Sequence, residues 1–146
     1  MKYFYTPLII LFSICFSNIA FSQVGINTTT PKSTLDINGN LSLKVLSLNG
    51  GPGGSATQIS DGVYISLVPS GGAPEFILPN ATTVPGRVYF LRNITDFDTA
   101  QVYSFGGGFY SKSSKDVVVA PLTLPPNSVN KSIIIVSDGI NWTFFN

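Results

Sequence analysis

From residue 56 onward the chain alternates short apolar stretches with turn signals. The stretches are Val63–Val68, Glu75–Leu78, Arg87–Asn93, Gln101–Phe105, Asp116–Ala120, Lys131–Val136 and Ile140–Phe145. Each suits a strand and is too short for a helix with a core-facing stripe. Their spacing, about ten residues from one to the next, predicts an antiparallel β-sandwich or barrel. Val88–Leu91 and Ile133–Val136 are apolar on both strand faces, as expected inside a sandwich or at a contact between subunits. Asp138-Gly139 predicts a tight hairpin between the last two strands. Alternation then puts Ile140, Trp142 and Phe144 on one apolar face, with Asn141, Thr143 and Phe145 on the other. Trp142 is therefore expected as a structural anchor.

Before residue 56 the pattern changes. Thr34–Ile37 and Leu41–Val45 flank Asn38-Gly39, a two-residue hairpin signal. Gly50, Gly51, Gly53 and Gly54 then surround Pro52, a composition that predicts a flexible linker. The expected organisation is an export signal (1–22), an N-terminal hairpin or fibre-like segment (23–49), a Gly-rich linker (50–56) and a C-terminal β domain (57–146). Ile59-Ser60-Asp61-Gly62-Val63 echoes Val136-Ser137-Asp138-Gly139-Ile140, which reads as two similar turns and not a repeat.

The export signal follows from Lys2, the apolar run Leu8–Phe16, and Ala20-Phe21-Ser22 as a small-x-small cleavage site. The run is short for a membrane span and has no basic stop-transfer flank. No span is expected once the signal is removed. Cys15, the one cysteine, falls inside the signal, so the mature chain is built without disulfides in a compartment that permits them. The expected location is outside the cytoplasm: periplasm, cell surface or medium.

Composition then narrows the function. After Ser22 there are seven basic and seven acidic residues, which gives no basic face for phosphate contacts and argues against a nucleic-acid partner. The chain has no His; with no mature Cys either, the usual zinc ligands, general base and thiol nucleophile are missing. No cofactor or metal is expected, and the chain reads as a non-enzyme. The Gly-rich stretches lack the Walker lysine and open no helix, so they read as loops and not phosphate cradles.

A few residues remain as candidates. Asp96 and Asp98, with Asp61 as a turn acid, could bind a weak cation or act as an acid/base pair, but Asp commonly serves turns. Tyr103, Tyr110 and Trp142 could stack on sugar rings if exposed, and otherwise serve packing. Asp98-Thr99-Ala100 is similar to a short O-glycosylation sequence of Gram-negative exported proteins, which would place a glycan on Thr99. The aromatic C-terminal end is compatible with an outer-membrane barrel, but the strands are too short for one.

VGINTTTPKSTLDINGN resembles the GIGTTxPxxxLDVNGN segment near the start of many secreted Bacteroidota proteins with phage tail-fibre-like architecture. The matching residues are Gly25, Ile26, Thr28, Thr29, Pro31, Leu35, Asp36, Asn38 and Gly39. LPNATTVPGRVYFLRN (78–93) and SIIIVSDGINWTFFN (132–146) are similar to C-terminal fibre modules of the trimeric-adhesin kind. The resemblance implies a β-rich homotrimer acting as a surface or fibre-tip module; surface glycans are a separate expected partner, through the aromatic candidates. Few charges and short apolar strands independently suit a core or edge shared among chains. The alternative is a monomeric carbohydrate-binding β-sandwich.

Overall fold

A computed structural model describes residues 24–30 and 32–146; the expected export signal lies outside the described residues. Internal contacts divide the chain into Met1–Ser42 and Leu43–Asn146. The boundary therefore falls at Ser42, not near Gly54.

In the first unit β1 (Val24–Ile26) and β2 (Leu35–Ile37) pair in parallel, with Val24 opposite Leu35 and Ile26 opposite Ile37. The hairpin expected at Asn38-Gly39 does not form. A tight turn of that kind needs left-handed backbone at both central residues, and neither Asn38 nor Gly39 has it. The left-handed residue is Asn27 (φ 58°), whose side-chain amide donates to the Asn38 carbonyl at 3.0 Å. The partner of β2 is thus upstream.

The second unit begins with six strands: β3 (Val45–Asn49), β4 (Thr57–Gln58), β5 (Tyr64–Val68), β6 (Glu75–Leu78), β7 (Val88–Asn93) and β8 (Ala100–Ser104). They alternate between two sheets, with β3, β5 and β7 parallel in one and β4, β6 and β8 parallel in the other. The registers show three stacked coils. Val45, Tyr64 and Phe90 stand opposite one another, and so do Thr57, Phe76 and Val102. The passage from the first sheet to the second is therefore equally long in every coil: Val45 to Thr57, Tyr64 to Phe76, Phe90 to Val102. The return differs. From Phe76 to Phe90 it is twice as long as from Thr57 to Tyr64, and it contains a 3-10 turn at Ala81–Thr83. The sequence conceals this repeat because the crossing length is shared and the side chains are not.

Five further strands close the stack: β9 (Phe109–Ser111), β10 (Val117–Val118), β11 (Leu122–Leu124), β12 (Ser132–Ser137) and β13 (Trp142–Phe145). Here β12 runs antiparallel to both β7 and β13, β11 antiparallel to β8, and β9 parallel to β13. The result is a seven-stranded sheet, β10-β9-β13-β12-β7-β5-β3, and a four-stranded one, β11-β8-β6-β4. The chain is all-β and sandwich-like, as expected, with mixed rather than purely antiparallel pairing.

Alternation fills the space between the sheets. Ile65, Leu67, Leu91, Ile133 and Ile135 come from one side and Phe76, Leu78, Val102, Leu122 and Leu124 from the other, all buried. Along the stack Leu46, Ile65 and Leu91 form one inward column, and Leu48, Leu67 and Asn93 another. Asn93 takes a leucine's place in the last coil. Its amide donates to the carbonyls of Leu124 (2.9 Å) and Asp98 (2.7 Å), and its oxygen accepts from the Thr95 backbone N–H at 3.0 Å. A buried amide needs such partners, and here it ties the last coil to β11.

The Gly-rich stretch belongs inside this unit and is not a linker. Gly51 exchanges backbone hydrogen bonds with Glu75 (2.8 and 3.0 Å). A Cβ on Gly51 would lie 2.0 Å from the Ser55 carbonyl oxygen. Glycine is required there by close approach, not by flexibility.

The last two strands are joined by the loop Asp138–Asn141, since Ser137 pairs with Trp142. Asp138 accepts the backbone N–H groups of Ile140 (2.8 Å) and Asn141 (2.6 Å). Ile140 therefore belongs to the loop and is 68% exposed, contrary to the expected face, while Trp142 and Phe144 are buried as expected.

Candidate functional site

Because inward positions of β6 and β8 are apolar, their alternate positions form the outer face of the four-stranded sheet. One row across it is Gln58, Ile77 and Tyr103; the next pairs Glu75 with Gln101 and Thr123. Phe105 follows two positions after Tyr103, continuing the ladder through its N–H to the Leu78 carbonyl (3.0 Å), and its ring is 58% exposed.

These side chains border an open depression of about 500 Å³. Tyr103 and Phe105 supply aromatic surface, Ile77 the floor, and Gly54 and Ser55 a rim. The rim is held in place. Ser55 N–H donates to the Pro52 carbonyl (2.8 Å), and Gly54, left-handed at φ 77°, gives its N–H to Glu75 Oε2 at 2.9 Å. Only one carboxylate oxygen of Glu75 is used in this way. The Tyr103 hydroxyl makes a long 3.4 Å bond to Gln101 Oε1. None of the described residues lining the depression is basic.

Tyr110, the other expected stacking residue, is not brought to this face. It is half-buried on β9 in the other sheet, in a separate depression with Lys112, Asp138 and Thr143. Trp142 is fully buried and offers no ring to a ligand. Its indole N–H donates to Ser104 Oγ (3.1 Å) and the Pro79 carbonyl (3.3 Å), and its ring packs 6.0 Å from that of Tyr89. Thr99 is half-buried beside the fully buried Ala100 at the start of β8.

The acidic candidates serve local structure. Lys131 Nζ lies 2.7 Å from Asp96 Oδ1, and this contact holds the Asp96 carboxyl below its ordinary range. Asp98 gives its backbone carbonyl to Asn93 and Thr95 (2.7 and 3.1 Å). Asp61 is paired with Lys44 and accepts the Gly62 N–H (2.6 Å), and both contacts hold its carboxyl low. Among the described residues no group of three His, Cys, Asp or Glu is placed to hold a metal, and no helix is long and apolar enough to cross a membrane.

Sequence reasoning singled out Tyr103 but not its companions Phe105 and Glu75. Phe105 is only the last residue of the expected strand Gln101–Phe105, and Glu75 reaches the site only through parallel pairing of β6 with β8. No family model, curated protein or solved structure matches the chain.

Proposed function

We propose that this chain is an exported, non-enzymatic surface module of structural or adhesive kind that assembles with copies of itself, as a homotrimer. One observation carries the reading. On the outer face of the seven-stranded sheet, Val45, Tyr64, Phe90, Ile134 and Phe145 stand in one register row across five strands. At about 4.8 Å per strand this apolar row is about 19 Å long. Val45 is 63% exposed, Ile134 39% and Phe145 43%. An apolar strip along an open sheet face supports association between copies.

The first unit supports the same reading. A two-stranded sheet is marginal alone, and parallel pairs are ordinarily covered on both faces. Yet Val24, Ile26 and Leu35 are each half exposed or more. Their burial between chains would stabilise a pairing that one chain leaves bare.

Sedimentation equilibrium of the exported chain tests the reading. Three times the monomer mass is expected, and Ile134→Lys should reduce it to the monomer. A monomeric wild type at micromolar concentration would remove the assembly.

A further inference from the structure

We infer that the outer face of the four-stranded sheet carries a binding site for a neutral saccharide, centred on Tyr103, Phe105 and Glu75. The inference deepens the adhesive part of the proposed function, but the site lies within one chain and does not depend on how copies assemble.

The argument runs from the chemistry of the groove. Tyr103 and Phe105 lie on the same side of one strand path, and the apolar C–H face of a pyranose ring stacks on such surfaces. A stacking platform alone would suit any flat apolar molecule. The carboxylate narrows it. Glu75 Oε2 is occupied by the Gly54 N–H, while the second oxygen can accept hydroxyl donors, and a carboxylate accepts strongly. Vicinal sugar hydroxyls provide such donors beside an apolar ring face.

Charge excludes the competing ligands. With one carboxylate and no basic residue among its described lining, the groove would repel phosphate, sulfate and sialic acid. Its volume falls within the ordinary range for small-ligand sites, about 300–1,000 Å³, which suits a mono- or disaccharide unit. Being open, it would admit the end or side of a longer glycan.

The groove is also built in advance. The hydrogen bond from Gly54 to Glu75 fixes the rim and aims the carboxylate, and backbone bonds between Gly51 and Glu75 fasten the rim to the sheet. Binding would therefore cost little ordering. This gives the Gly-rich stretch a role: its turn forms the wall of the site.

The test is a panel of immobilised glucose-, galactose-, mannose- and N-acetylglucosamine-terminated oligosaccharides, with sialylated and sulfated counterparts, probed with the full exported chain. Binding to at least one neutral terminus and none to its anionic counterparts is expected. Tyr103→Ala and Phe105→Ala should each weaken it about tenfold or more, a large shift on the affinity scale. Glu75→Gln should also weaken it, Tyr103→Phe should preserve it, and Tyr110→Ala on the other sheet should leave it unchanged. Each variant must keep the wild-type melting midpoint; Glu75→Gln serves where an alanine variant does not. No neutral binding at millimolar sugar would overturn the inference, as would preference for anionic glycans or indifference to both Tyr103→Ala and Glu75→Gln. A lowered sedimentation mass for Tyr103→Ala without loss of glycan binding would make this face a contact between copies and overturn it too. A monomeric wild type that still binds the glycan would remove the assembly and leave the site standing.

Discussion

Replacing Trp142 by alanine is the sharpest test of the core. The indole is fully buried, contacts the Tyr89 ring at 6.0 Å, and bridges β13 to the other sheet through Ser104 Oγ. Truncation removes a large apolar side chain whose site cannot collapse between two paired sheets. The expected cost is about 3–5 kcal/mol. Losing the N–H adds little, because Ser104 Oγ keeps the Gly106 carbonyl (2.5 Å) and N–H (3.1 Å) as partners. For a domain of about 100 residues each kcal/mol moves the midpoint by roughly 4 °C or more, so a drop of about 12–20 °C is expected in calorimetry. Trp142→Phe keeps most of the packing and should cost about 1–2 kcal/mol for the smaller volume it removes. A midpoint for Trp142→Ala within about 3 °C of wild type would refute the account, since it would place the ring outside the load the core carries.

Three further outcomes follow from the same structure. Asn93→Ala should destabilise by about 1–3 kcal/mol in denaturant unfolding, because it removes the amide that donates to the Leu124 and Asp98 carbonyls, and Thr95 Oγ1 remains to serve only the latter. Gly51→Ala should destabilise measurably in a thermal melt, since its Cβ would meet the Ser55 carbonyl oxygen at 2.0 Å, whereas Gly39→Ala, with nothing within 4 Å, should be neutral. Stability should hold from neutral pH down to about pH 4 and then decline with further acid, as read by melts across the range. The direction comes from Asp61, held low by Lys44, Asp96 by Lys131, and Asp138 by the N–H groups of Asn141 and Ile140. In each the folded state binds protons less readily than the unfolded one, so protonation favours unfolding.

Much of the second unit is legible in local pattern, and its wiring is not. β6 occupies the expected residues, and β5, β7, β8 and β12 shift by about one residue, because each is a short apolar-rich run ended by turn signals. β4, β9 and β11 escape notice, being two or three residues long. Alternation fixes which side chains face inward but not the direction of the neighbouring strand, so the parallel coils read as hairpins. The glycines of residues 50–54 look like a linker by composition, and only the distance to Ser55 shows them as a crowded crossing. At the groove Tyr103 is visible as an aromatic at an outward position. Glu75 is not, because a whole coil of chain separates it from its pairing partner Gln101, the neighbour that brings it to Tyr103.

The strand order also has a consequence for how the chain becomes folded. The last two strands in sequence, β12 and β13, lie in the middle of the seven-stranded sheet, with β10 and β9 on one side and β7, β5 and β3 on the other. Until residues 132–145 are available, the two halves have no common strand to join them. Each parallel coil closes within a single circuit of chain, Val45 to Tyr64 and Tyr64 to Phe90. By contrast β12 must reach back much farther to find β7, from Ile134 to Phe90. Such distant pairing is slow and comes late. A chain emerging from its N-terminus would thus hold every strand of the four-stranded sheet by Leu124 while the seven-stranded sheet stayed in two unjoined parts until residues 132–145 were free.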